Sequence, residues 1–165
     1  RRVLRTHTSP VQVRTMVAQE PPIRVIVPGR TYRADHDATH SPMFHQVEGL
    51  AIDRHLTLGH LKGCLIDFLR AFFGISNLPV RFRSSYFPFT EPSVELTAFK
   101  EGYGWVEFGG SGIFRPEVTL PLGIDVPVIA WGLGVDRLFM MKAGIDDIRS
   151  IFSMDLDWLR RIPVT

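Results

Sequence analysis

The 165-residue chain carries 19 Lys+Arg and 17 Asp+Glu, a formal charge of +2, with 45 % hydrophobic and 22 % charged residues. That balance, together with 12 Phe, 3 Trp and 3 Tyr, excludes an intrinsically disordered chain and fits one domain with a single sizeable core. Cys64 is the only cysteine, which excludes a disulfide scaffold, and the longest apolar stretch, from Val126 to Val135, is broken by Pro127, Gly132 and Gly134, which excludes a membrane-spanning helix.

Val3 to Thr6 reads as a short strand. Thr8 or Ser9 can cap a helix with Pro10 in its first turn, and Val13, Met16 and Val17 give it an apolar face through about Gln19. Pro21-Pro22 stops it. Residues 23–27 form a strand, Pro28-Gly29 a kink, and residues 30–33 a continuation. The stretch 34–43, rich in Asp, His, Thr and Ser, is a loop, and 44–53 returns as an alternating strand, so the two make an antiparallel hairpin. From Thr57 to Phe73 the apolar residues Leu58, Leu61, Leu65, Phe68, Leu69 and Phe72 recur at helical spacing, ending at Gly74. Strand-like runs follow at 80–83, 93–99 and 105–108, then a glycine-rich segment over 109–112. Residues 128–131 read as a last strand, turning through Gly132 and Gly134 into a helix over 135–142, with short helical pieces near 147–152 and 155–160. Antiparallel strands with helices set aside make the fold class α+β.

Three places can carry chemistry. On the hairpin, Arg33 precedes the polar loop, and Phe44, Gln46 and Glu48 share one face of the return strand. An arginine can neutralise a phosphate, an aromatic ring can stack on a base, and Gln with Glu can hold an ammonium. The same residues also fit a solvated hairpin. A zinc site from His36, His40 and His45 with Asp35 and Asp37 is a weaker alternative, because no Cys joins them. In Ser85 to Ser93, Phe87 and Phe89 would point the same way if extended, with Glu91 at the edge of an apolar slot; plain core packing explains them equally. In Gly132-Leu133-Gly134-Val135-Asp136-Arg137, two glycines before a helix let a ligand approach the backbone, with Arg137 on the first turn. An ordinary strand-to-helix turn has the same signature.

Together these places resemble one family. Gly29 to Arg33 with Thr39-His40 and Phe44 to Gly49 is similar to motif 2 of class II aminoacyl-tRNA synthetases, and Gly132 to Leu138 to motif 3. Ser85-Tyr86-Phe87-Pro88-Phe89-Thr90-Glu91-Pro92-Ser93 resembles the α (catalytic) subunit of phenylalanyl-tRNA synthetase. Thr6-His7-Thr8-Ser9-Pro10 and Gly144 to Arg149 match that family too. The resemblance covers nearly the whole chain in the right order.

It implies a class II catalytic core over 1–165, with motif 2 at about 23–53 and motif 3 at about 128–143. The implied reaction joins phenylalanine to ATP as phenylalanyl-adenylate, then transfers it to tRNA(Phe). Arg33 and Arg137 would be the catalytic arginines. Arg33, Asp35, His40, Phe44, Gly134 and Arg137 would hold ATP. His7, Ser9, Gln46, Glu48, Phe87, Phe89, Ala130 and Gly132 would hold phenylalanine, and Glu91 and Glu107 magnesium (Mg2+). The family works with a β subunit. Motif 1, which forms its subunit interface, is not in the sequence, so the chain is expected to be a piece of a longer polypeptide that tends to self-associate. A cytoplasmic location and no membrane partner are expected. A non-catalytic paralogue that binds ATP or amino acid without charging tRNA is the alternative; its signature would be loss of Arg33, Arg137 or Glu91, and all three are present.

Overall fold

In the computed structural model the hairpin forms as two ten-residue strands, β1 (Ile23–Tyr32) and β2 (Met43–Ile52). The structure describes residues 2–162; Arg1 and 163–165 of the expected domain lie outside the described residues. The other strands are β3 (Val80–Ser84), β4 (Thr90–Lys100), β5 (Gly104–Phe114) and β6 (Val128–Gly134). All pair antiparallel in one six-stranded sheet, ordered β1-β2-β6-β5-β4-β3. The helices are α1 (Ser9–Ala18), α2 (Leu58–Phe73), the single turn α3 (Pro116–Thr119), α4 (Val135–Ala143) and α5 (Leu156–Arg161). The α+β class and the antiparallel sheet read from the sequence both hold.

The sheet separates two cores. On one face, Leu61, Leu65 and Leu69 of α2 pack with Leu133, Ile129 and Leu96 of the sheet and Leu138 and Met141 of α4. Each fully buried leucine contributes roughly 1.5–3 kcal/mol. Thr57 caps α2 through a reciprocal bond with His60, and Gly74 closes it in the left-handed conformation at φ 67°. On the other face, Met16 of α1 packs with Ile23, Leu50, Ile52, Val128, Ala130 and Phe114. Among the described residues no helix is long and apolar enough to cross a membrane.

Three local readings are corrected and one is extended. Residues 3–6 form no strand: Val3 is 91 % and Leu4 66 % exposed, and with no surface to pack on the segment keeps one backbone bond, Tyr32 N–H to Arg5 C=O at 2.9 Å. The glycine-rich segment, to which the sequence assigns no element, is the second half of β5. Its glycines fit because neighbours occupy the side-chain space: a Cβ at Gly109 would strike the Gly132 carbonyl, and one at Gly110 the Phe87 ring. Gly132 and Gly134 end β6 rather than making a turn. The segment 87–90 is a tight turn, with Thr90 N–H donating to Phe87 C=O at 3.3 Å, so Phe87 and Phe89 are not an extended pair. The α3 turn and the following 3-10 turn (Leu120–Leu122) had no periodicity to announce them.

Candidate active site

Strand β2 lays out the site by its two-residue alternation. Phe44, Gln46, Glu48, Leu50 and Ile52 point to the α1 side, so one row runs from polar at the open end to apolar in the core. Directly across on β6 stand Gly134 against Gln46, Gly132 against Glu48 and Ala130 against Leu50. A Cβ at Gly132 would lie 3.0 Å from Gln46 Nε2, so small residues here keep the space above Gln46 and Glu48 free. A cavity of about 500 Å3 opens over this row, within the range of small-molecule sites.

The deep end is polar and buried. Glu48 is 5 % exposed and accepts a hydrogen bond from Ser9 Oγ at 2.7 Å. Burial pushes its carboxyl pKa up; the Ser9 bond, and His7 and Arg33 nearby, act against that push without cancelling it. Gln46 Oε1 and His7 Nδ1 are buried with no hydrogen-bond partner among the described residues. Buried polar atoms are seldom left so. Around them lie apolar surfaces: Phe87 with its ring on Gly110, Phe89 edge-on to His7 at 5.8 Å between centroids, and Ala130.

The open end is cationic. The Arg33 guanidinium sits 5.1 Å from the Phe44 ring centroid, and its Nε donates to Thr6 C=O at 3.2 Å. Arg137 donates to Glu107 C=O at 3.1 Å and Thr39 C=O at 3.3 Å, so the first turn of α4 is tied to β5 and to the hairpin loop. His40 Nδ1 lies 2.9 Å from both carboxylate oxygens of Asp37. The backbone N–H of Thr39, then His40 and the Thr39 hydroxyl, hold the Asp37 carboxyl well below the usual carboxylate range. Asp35 is exposed at the rim.

Every residue that the family resemblance assigned to ATP, phenylalanine or magnesium lines this one cavity except Glu91; of the zinc alternative, His36, Asp37 and His45 do not. Glu91 stands outside, 71 % exposed, in an ion pair with Arg115 at 3.2 Å. Glu107 reaches the cavity through a β-bulge: the β4–β5 register skips Phe108, which turns into the α2-side core and leaves Glu107 on the cavity side. Among the described residues no three His, Cys, Asp or Glu side chains converge on a common point suited to a metal ion. His40 and His45 are committed to different carboxylates, Asp37 and Asp136.

Sequence reasoning missed Gln12 and Asp136. Gln12 is 2 % exposed, lines the cavity and donates to Gly49 C=O at 3.3 Å. Its spacing of three from Ser9 on α1 was the available signal. Asp136 is 6 % exposed and also lines the cavity, one residue before Arg137.

Comparison with known proteins matches residues 1–162 to the family described as tRNA synthetases class II core domain (F). The chain is 58 % identical to the phenylalanine–tRNA ligase alpha subunit of Gluconobacter oxydans over 170 residues, covering 96 % of this chain and 48 % of that protein. The corresponding protein of Gluconacetobacter diazotrophicus is also 58 % identical, with the same coverage. That of Methylocella silvestris is 56 % identical, covering 97 % and 48 %. The chain thus spans about half the length of these relatives. Among solved structures, a pyrrolysyl tRNA synthetase from Desulfitobacterium hafniense, PylSc, shares the fold with a TM-score of 0.67 at 20 % identity, over 97 % of this chain and 57 % of that one.

Proposed function

From the premise that the chain belongs to the class II tRNA synthetase core-domain family, we propose that its cavity activates phenylalanine with ATP and then passes the phenylalanyl group to tRNA(Phe). In this reading residues 1–165 are the catalytic core, the hairpin 23–53 is motif 2 and 128–143 is motif 3. The observation that carries it is the pairing of a buried carboxylate and two unpartnered polar atoms at the deep end with two arginines at the open end. A zwitterionic amino acid beside a polyphosphate matches that distribution of charge.

The ammonium of phenylalanine binds Glu48 and Gln46 Oε1, giving Gln46 Oε1 a donor and Glu48 a second one beside Ser9; Ser9 and His7 border this end. The phenyl ring enters the slot of Phe87, Phe89, Ala130 and Gly132, where edge-on contacts between rings are favourable. Adenine stacks between Phe44 and Arg137, against the open backbone of Gly134. Arg33 bridges the substrate carboxylate and the α-phosphate. The carboxylate oxygen attacks the α-phosphorus, a P–O bond forms, the bond to the β-phosphate oxygen breaks, and pyrophosphate leaves. No side-chain nucleophile takes part. Arg33 draws two anions together and neutralises charge that builds at phosphorus, while His40 and Arg137 receive the outer phosphates. Asp35 at the rim contacts the nucleotide or the tRNA end.

Glu107 can hold magnesium, since that ion needs only one or two carboxylates when phosphates complete its shell. Magnesium would neutralise the outer phosphates. Glu91 is paired with Arg115 and would have to leave that pair to hold magnesium. A β subunit partner and a cytoplasmic location follow from the same reading.

The test is phenylalanine-dependent exchange of labelled pyrophosphate into ATP by this chain, with tyrosine as control. Exchange with phenylalanine alone is the expected result. Binding of ATP or phenylalanine without any exchange would favour the non-catalytic alternative, and failure to bind either would contradict both readings.

A further inference from the structure

His45 and Asp136 are the immediate chain neighbours of Phe44 and Arg137. The sheet register explains why they meet. Gln46 of β2 is paired with Gly134, the last residue of β6, so the next residue back along β2 faces the first turn of α4. There the Asp136 carboxylate accepts two hydrogen bonds from one residue: from the backbone N–H of His45 on Oδ2, and from His45 Nδ1, 3.0 Å from Oδ1. Asp136 is 6 % exposed while the His45 side chain is 41 % exposed, so the bond is shielded on its carboxylate side. The far side of the imidazole is covered by Phe152, stacked at 6.3 Å with an angle of 19° between planes.

A single bond between β2 and α4 would act as a hinge, whereas two bonds to one carboxylate fix both distance and rotation. Strand alternation puts His45 on the opposite face from Phe44, and His45 does not line the cavity. The guanidinium of Arg137 is tied elsewhere, to Glu107 C=O and Thr39 C=O; the Asp136 bonds hold the backbone from which it extends. We propose that the His45–Asp136 pair is a positioning device that sets the gap between Phe44 and Arg137, and so admits a planar ring of purine thickness between them. The inference rests on the reading that these two residues enclose adenine. The pair itself touches no reacting atom.

Titration of the 165-residue chain with ATP, tripolyphosphate and phenylalanine separates this role from plain support of the fold. His45→Leu removes the side-chain bond and keeps the backbone one. It is expected to weaken ATP about tenfold, to weaken tripolyphosphate by clearly less, and to leave phenylalanine unchanged. His45→Asn places an amide N–H near the position of Nδ1 and is expected to restore ATP affinity to within about threefold. Should His45→Leu fail to fold, Asp136→Asn keeps the size and one acceptor, and is expected to show the same selective loss for ATP. Unchanged ATP affinity in the folded His45→Leu protein, equal losses for ATP and tripolyphosphate, or no rescue by Asn would each overturn the positioning role while leaving the proposed function standing. Absence of ATP binding by the unsubstituted chain would overturn both.

Discussion

The two ends of the cavity hold charge in opposite ways. At the deep end, Glu48 and Gln46 sit on β2, an inner strand flanked by β1 and β6, and Glu48 is 5 % exposed. At the open end, Arg33, Asp35 and His40 stand exposed on the hairpin loop. Strand-borne groups in a buried setting are held before any ligand arrives, and burial strengthens their interactions by reducing the screening by water. Loop-borne groups remain hydrated and can follow a substrate whose charge moves during the reaction. The difference teaches a division of labour: the deep end selects, and the open end neutralises.

Breaking the open end should have the largest effect. Arg33→Ala is expected to lower the rate of pyrophosphate exchange by about 10³-fold, the scale of losing one donor that stabilises a developing charge; phenylalanine binding measured without ATP should fall far less. Breaking the deep end comes next. Glu48→Gln is expected to weaken phenylalanine about 100-fold, through loss of a buried charge-assisted bond to the ammonium, and to leave ATP affinity unchanged.

The acid–base behaviour of Glu48 sharpens the contrast. Its folded pKa is raised by burial, so its contribution to stability is present below about 4.5 and lost as pH rises through the raised value. Glu48→Gln should therefore leave the melting temperature at neutral pH equal or higher, even as binding fails. For the same reason phenylalanine affinity should rise with pH as Glu48 ionises, which titration across the acid range would show. Asp147 behaves oppositely: Arg149 holds its pKa down to about 2, so its exposed pair adds stability above pH 3.8 and loses it as pH falls towards 2.

A smaller effect is expected at the wall of the deep end. In Gly110→Ala the added methyl must displace the Phe87 ring, costing roughly 1–3 kcal/mol of stability as overpacking does, and weakening phenylalanine more than ATP. The smallest belongs to Glu91. Its exposed ion pair with Arg115 lies outside the cavity lining, and Glu91→Gln is expected to change ATP affinity less than about twofold.

The same division explains what the sequence made legible. The α2 helix and the β1–β2 hairpin announce themselves because one face of each is apolar at a regular period. The row Phe44, Gln46, Glu48 follows from alternation alone. Strand β5 was legible only in its first half: Gly109, Gly110 and Gly112 carry no side chains to show a period, and they belong to a strand because Phe87, Thr90 and the Gly132 carbonyl fill their space. The bulge at Phe108 that keeps Glu107 on the cavity side is likewise a matter of pairing. Glu91, read as a site residue because the surrounding residues match a motif, is exposed beside Arg115 rather than in the cavity lining. Gln12 and Asp136 were missed because each earns its place through a partner distant in sequence, Gly49 and His45 respectively.

The most direct test of the central claim compares phenylalanine with 3-phenylpropanoate, which keeps the ring and the carboxylate and lacks the ammonium, by calorimetric titration of the chain. If the deep end is an ammonium site beside an aromatic slot, phenylalanine binds and 3-phenylpropanoate binds at least about 100-fold more weakly. Equal affinity for the two, or binding of neither, would contradict the account.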